Sequence, residues 1–176
     1  MMRLQAVRSA LVVIACAMFA ACAGDRESSS GQPSFYQSLA APGAELDANA
    51  AQSMISGYRH NNGLGELTLD PVLMRLAGDQ ARAMALRDKL DHAINGEFKT
   101  RMKSSGFDAK VAVENISAGY HTLAEAFSGW RDSAPHRANM LNQNVTRMGI
   151  AAVYAPNSKY KVFWSLIMAA PDDKRG

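Results

Sequence analysis

The stretch Tyr160–Ala169, YKVFWSLIMA, constrains this chain more than any other, because it is apolar on both faces apart from Lys161 and Ser165. A strand sends alternate side chains to opposite faces of its sheet. A strand with no polar face must therefore be covered on both sides. Helices above and below the sheet are the economical way to do that. At 176 residues and 48% apolar composition, the chain has enough material for one packed domain of this kind.

The remaining periodicities supply those helices. Asp47 is placed to cap a helix in which Ala51, Met54, Ile55 and Tyr58 recur at i, i+3, i+4 and i+7, ending at Asn61-Asn62-Gly63. Asp70-Pro71 opens a second helix, with Leu73, Leu76, Ala77, Ala81 and Met84 as its buried stripe, running to about Lys89. A shorter helix is expected over Gly96 to Ser105. Val111 to Ala118, VAVENISA, reads as a strand that contains one carboxylate. Thr122-Leu123-Ala124-Glu125 forms a capping box for a helix with Leu123, Phe127 and Trp130 inside, and Pro135 restarts a short helix through Leu141. Met148 to Tyr154 and Tyr160 to Ala169 then form a hairpin across Ala155-Pro156-Asn157-Ser158. Helix, helix, strand, helix and hairpin in that order predict an α+β fold, a three-layer α-β-α sandwich with a central antiparallel sheet over residues 47–170. Residues 171–176 are left as a polar tail.

The N-terminal segment reads as an address. Met1 to Ser9 carries Arg3 and Arg8 and no acid, and Ala10 to Ala23 is an unbroken apolar run of 14 residues. A membrane-spanning helix needs about 20, so residues 1–21 read as a signal peptide. Phe19-Ala20-Ala21-Cys22 resembles a bacterial lipobox, with Phe19 where Leu is usual, and makes Cys22 the expected lipidation site and anchor to the membrane. Cleavage at an Ala-x-Ala site, giving a soluble exported protein, is the alternative. Residues 22–46, rich in Ser, Gly, Pro and Ala, read as a lipid-anchored flexible linker, with docking of Phe35 and Tyr36 on the domain as the less favoured alternative. Without Arg3 and Arg8 the formal charge of +3 falls to 17 basic against 16 acidic residues, so there is no electrostatic case for a nucleic-acid partner. Cys16 leaves with the signal and Cys22 is consumed by acylation. The domain is then free of thiols, which excludes disulfides, thiolate zinc sites and a cysteine nucleophile.

Within the domain, Glu114 stands out. A lone carboxylate in an apolar strand must face a cavity or meet a donor or a cation. His92 follows the second helix in Lys89-Leu90-Asp91-His92, and His136 follows Pro135 near a helix start. Trp130 and Arg137 read as a packing and a surface-network residue. No HExxH, GxSxG, Walker or GxGxxG pattern occurs, and Ser133 and Ser165 lack the setting of a nucleophile.

A series of motifs in order then resembles the CAP superfamily, also called the SCP or PR-1-like domain. These are Ile55-x-x-x-Arg59, Gly63-Leu64 with Leu67, Leu69 and Asp70, then Leu73, Ala77, Ala81, Met84, His92, Phe98 and Arg101. Glu114-Asn115-Ile116 with Ala118-Gly119 matches the most recognisable motif. Trp130-x-x-Ser133-x-x-His136-Arg137-x-Asn139-Met140-Leu141 is similar to the bacterial form of the next, and Thr146-x-x-Gly149-Ile150-Ala151 and Phe163-Trp164 complete the set. The resemblance spans about residues 50 to 169. It implies a three-layer sandwich with a cleft lined by two histidines and two acids, which in some members holds zinc or another divalent ion. Carried over, His92 is the first histidine and Glu114 the first acid. Ser133 and Asn144 stand where the second acid and second histidine would be, and His136 is the candidate replacement.

His92, Glu114 and His136 would then be metal ligands in a His2Glu set with an open position, for which zinc is the best match. Asn115 is expected to hold the backbone around Glu114 and orient its carboxylate. Arg59, Arg101 and Arg137 are the candidates to offset Glu114 in the absence of a metal. The resemblance favours an envelope binding module whose cleft takes a lipid, glycan or protein ligand. A divalent-metal-dependent hydrolase of envelope material is the alternative, and a purely structural protein the third.

Overall fold

The structure, a computed structural model, describes residues 31–172. The expected signal peptide, the Cys22 lipidation site and the tail beyond Asp172 lie outside the described residues. Among the described residues five α-helices and four strands follow one another: α1 Ala48–His60, β1 Thr68–Leu69, α2 Pro71–Arg87, α3 Phe98–Ser104, β2 Ala109–Ala118, α4 Leu123–Asp132, α5 Ala134–Met140, β3 Arg147–Tyr154 and β4 Val162–Pro171. The strand order is β1-β3-β4-β2. β4 runs antiparallel to both β2 and β3, and the two-residue β1 adds a short parallel edge beside β3. A two-residue strand is too short to show an alternation, which is why the sequence pattern gave no sign of it.

The predicted caps form. Asp47 accepts from the Ala50 amide, Asp70 accepts from the amides of Val72 and Leu73, and Thr122 and Glu125 close a reciprocal capping box. α2 stops at Arg87, slightly short of the expected end, because Asp88 turns into the left-handed region at φ 48°. Ser158 on the β3–β4 loop holds the Asp88 carboxylate there.

β4 is the centre of the molecule, as its composition requires. Val162, Trp164, Leu166 and Met168 pack with Ala51 and Ile55 of α1, Leu123, Ala126 and Trp130 of α4, and Met140 of α5. On the opposite face Ile167 and Ala169 pack with Leu73, Leu76 and Ala77 of α2 and Met102 of α3, while Phe163 meets Met84 of α2. The sheet is thus sandwiched between α1, α4 and α5 on one side and α2 and α3 on the other. Trp130 and Trp164 meet edge to face at 6.3 Å inside the first layer, an orientation that their ring quadrupoles favour.

The segment 32–46, expected as a solvated tether, instead lies against the domain. Ser34–Tyr36 forms a single 3-10 turn, Leu39 is 6% exposed and its amide donates to the His121 carbonyl at 2.7 Å. Phe35, Ala40 and Leu46 pack on the α1/α4 core. Few and irregularly spaced, these apolar residues show no period from which docking could be read. Among the described residues no helix is long and apolar enough to cross a membrane.

α2 approaches β3 closely enough to leave no room for a side chain at Gly149. A Cβ there would lie 2.1 Å from the Leu73 carbonyl carbon and 2.3 Å from the Met74 amide. Gly149→Ala is expected to destabilise the domain by about 1–3 kcal/mol, the cost of forcing packed backbones apart, seen as a lower urea midpoint with an unchanged m-value.

Candidate functional site

The pleat of β2 decides which side chains share a site. Ala112, Glu114 and Ile116 face α2 and α3, whereas Val111 and Val113 face the α1/α4 layer. β2 is an edge strand, so both helical layers reach the rim of the sheet beside it. Glu114 and Asn115 occupy the half of this rim that ends near α5.

Glu114 is the buried carboxylate that the sequence singled out, with its side chain 2% exposed. Arg101 of α3 answers it. The Arg101 Nη2 donates to Oε1 at 2.9 Å and to Oε2 at 3.0 Å, and the guanidinium is itself 6% exposed. Arg101 also reaches the carbonyls of Gly96 and His92, so one side chain ties the 92–97 loop to the strand. Phe98 lies under the guanidinium at 5.3 Å. Of the three arginines considered as a counter-ion, only Arg101 serves. Arg59 is buried against the carbonyls of Gly65, Met140, Asn142 and Val145, and Arg137 donates to the Arg131 carbonyl.

His92 completes the arrangement from the loop after α2. Its Nδ1 lies 2.8 Å from Glu114 Oε2, while the ring as a whole is 56% exposed. Glu114 therefore orients the imidazole, and Nε2 has no partner among the described residues. A buried carboxylate that fixes the tautomer of an exposed histidine is a recurrent way to aim a proton donor or acceptor.

His136 enters from α5, in the opposite layer. Asn115, fully buried, donates from Nδ2 to the His136 carbonyl at 3.0 Å, and Asn139 donates to Asn115 Oδ1 and to the Glu114 carbonyl. The expected role of Asn115 is thus extended: the asparagine pair fastens α5 to the strand and sets the position of His136. The His136 Nδ1 is buried without a hydrogen-bond partner. Burial first, and the charge of nearby His92 second, push its pKa below the ordinary 6.5.

The expected metal set of His92, Glu114 and His136 is not assembled. Among the described residues no three His, Cys, Asp or Glu side chains are grouped to hold a metal ion. The physical reason is Arg101: both oxygens of Glu114 are already engaged, and a guanidinium beside them repels a second cation. The donor set does not fit a three-ligand zinc site. Ser133 links α4 to α5 as a cap, and exposed Asn144 lines a separate hollow with Glu66 and Arg147, so neither extends the cluster. Arg101 is the residue whose part was left open by sequence reasoning; its position in a short helix preceding the strand was the available signal.

Comparison with known proteins agrees with this architecture. Residues 52–168 match the model of the cysteine-rich secretory protein family, CAP, and the chain belongs to that family. It is 35% identical over 102 residues to the uncharacterized Bacillus subtilis protein YkwD, covering 57% of this chain and 40% of that protein. It is 29% identical over 94 residues to the uncharacterized B. subtilis membrane protein YlbC, covering 52% of this chain and 27% of that one. The chain thus spans well under half the length of these relatives. Among solved structures, an outer surface protein of Borrelia burgdorferi superposes with a TM-score of 0.64 at 16% identity, over 73% of this chain and 98% of that one. An SCP-domain extracellular protein of Bacillus anthracis gives 0.60 at 22% identity, over 69% of this chain and 39% of that one. At these identities the superpositions establish the fold.

Two outcomes follow from the site. Arg101→Met strands a buried carboxylate and is expected to cost about 3–5 kcal/mol. Combining it with Glu114→Gln should recover part of that loss, a coupling that a urea double-mutant cycle reads directly. For His136, the unfolded chain holds a proton at pH values where the folded chain does not. Stability therefore rises with pH from the lowered pKa up to 6.5 and is lost as pH falls through that window. His136→Asn should flatten this part of the profile in urea titrations between about pH 5 and 7.

Proposed function

We propose that this chain is an exported, lipid-anchored binding module that presents the His92/His136 rim to a lipid, glycan or protein of the bacterial cell envelope. The observation that carries this reading is the engagement of both Glu114 oxygens by Arg101, with His92 on one of them. The acid is used to fix an imidazole, not to attack or to hold a metal. No serine, cysteine or threonine is joined to the pair by a hydrogen bond among the described residues. What remains presented is polar recognition chemistry: a free Nε2 on His92 and the partly buried ring of His136. The extracellular and outer-surface relatives, together with the N-terminal address segment, support export, and Cys22 supports the anchor.

The contact between Glu114 and a half-exposed His92 also favours a second reading, general acid–base hydrolysis of envelope material. One experiment separates the two. Purified protein is sedimented with peptidoglycan sacculi and, separately, with phosphatidylglycerol vesicles, with and without EDTA. The binding reading expects cosedimentation that survives EDTA and is lost in His92→Ala with an unchanged circular dichroism spectrum. The hydrolytic reading expects soluble fragments released from the sacculi and abolished by the same substitution. Cosedimentation unaffected by His92→Ala would remove the rim from the function.

A further inference from the structure

The other half of the β2 edge is open. β2 pairs only with β4, and Asn139 closes the outward side at Glu114 alone. Gly119 donates to Val162, which stands opposite it, so odd-numbered residues of β2 between 111 and 117 point their backbone groups at β4. The N–H and C=O of Ala112 therefore point outward. They have no partner among the described residues.

Along this stretch runs a groove of about 770 Å³ between α3 and the strand. Seven consecutive residues, 106–112, line it, and the last four are consecutive residues of β2, which means that the groove follows the strand's edge and not one of its faces. Its walls carry Phe98, Met102 and Phe107, and its rim carries the exposed Lys99, Lys103 and Lys110. None of these lysines has an ion-pair partner among the described residues. Asp108, the single acid lining the groove, is engaged in an interaction of its own.

An outward lysine and the register shift between Ala109 and Val111 are ordinary guards of an edge strand. They do not account for two further lysines on a different element, nor for an aromatic-walled groove beside an unpaired ladder. We propose that this edge takes an acidic, extended polypeptide segment of a partner protein as an additional strand. Main-chain bonds to Ala112 would supply the pairing, the apolar walls would take alternate side chains, and the three lysines would select acidic residues. A second copy of this chain is disfavoured, since pairing two β2 edges brings lysine rims of the same sign together. The chain's own last residues, Asp172-Asp173-Lys174-Arg175, carry as many bases as acids and are not the acidic segment that the rim selects.

The test uses the purified protein and two synthetic peptides, acetyl-EVEVEVE-amide and acetyl-KVKVKVK-amide, with amide hydrogen exchange and fluorescence anisotropy as readouts. The expected result is binding of the acidic peptide only, with new protection of the Ala112 amide. Lys99→Glu, Lys103→Glu and Lys110→Glu together should weaken it about tenfold, the combined scale of three exposed charge contacts, and reverse the preference between peptides. Ala112→Pro removes the outward donor without touching the β4 ladder and should abolish protection. Four outcomes would overturn the proposal: no binding of either peptide, equal binding of both, dimerisation through the edge, or capture by phosphatidylglycerol vesicles with Ala112 left unprotected. All four are independent of His92, so they leave the proposed function of the other rim untouched.

Discussion

A carboxylate removed from water in the middle of an apolar strand needs donors or a cation close by, and in this domain Arg101 supplies both. Much of the site follows from this one pair. The guanidinium holds the 92–97 loop through two backbone carbonyls, which brings His92 onto the remaining side of the carboxylate. The same cation takes the place in which a metal would need the acid. An ion pair this well buried adds little net stability compared with apolar residues of the same volume. Its value lies in fixing where an exposed imidazole points.

The strand that carries the acid divides its labour along its length. Near α5, the paired amides of Asn115 and Asn139 stitch the opposite layer to the sheet and close the backbone edge at Glu114. Toward its start, nothing comparable covers the ladder. Both halves depend on β2 lying at the rim, where β4 is its one strand neighbour among the described residues.

Much of this was legible in the residues themselves. The two-sided apolar arm announced a covered central strand, the Asp, Thr and Pro signals marked four helix starts, and Glu114 was conspicuous as a charge among apolar neighbours. The meeting of His92 with Glu114 was available only through the family resemblance, since nothing in a spacing of this kind reports a contact. Which arginine would answer the acid was signalled only by the place of Arg101 in a short helix ahead of the strand, and that does not decide among the three. Arg59, Arg101 and Arg137 are chemically alike, and their fates are set by the layer in which each helix lands. The docking of 32–46 was legible only as an alternative, through Phe35 and Tyr36: Phe35, Leu39 and Leu46 follow no period, and their burial depends on a surface that exists only after α1 and α4 have packed.

The arrangement of the strands also orders events in time. β2 and β3 each rely on β4 for their long pairings, and β4 is the final strand of the domain. A nascent chain emerging from the ribosome thus has no sheet to assemble on until Val162 and its successors are available. Until then the long edges of β2 and β3 have no partner, and the sheet closes only after this last strand has been made.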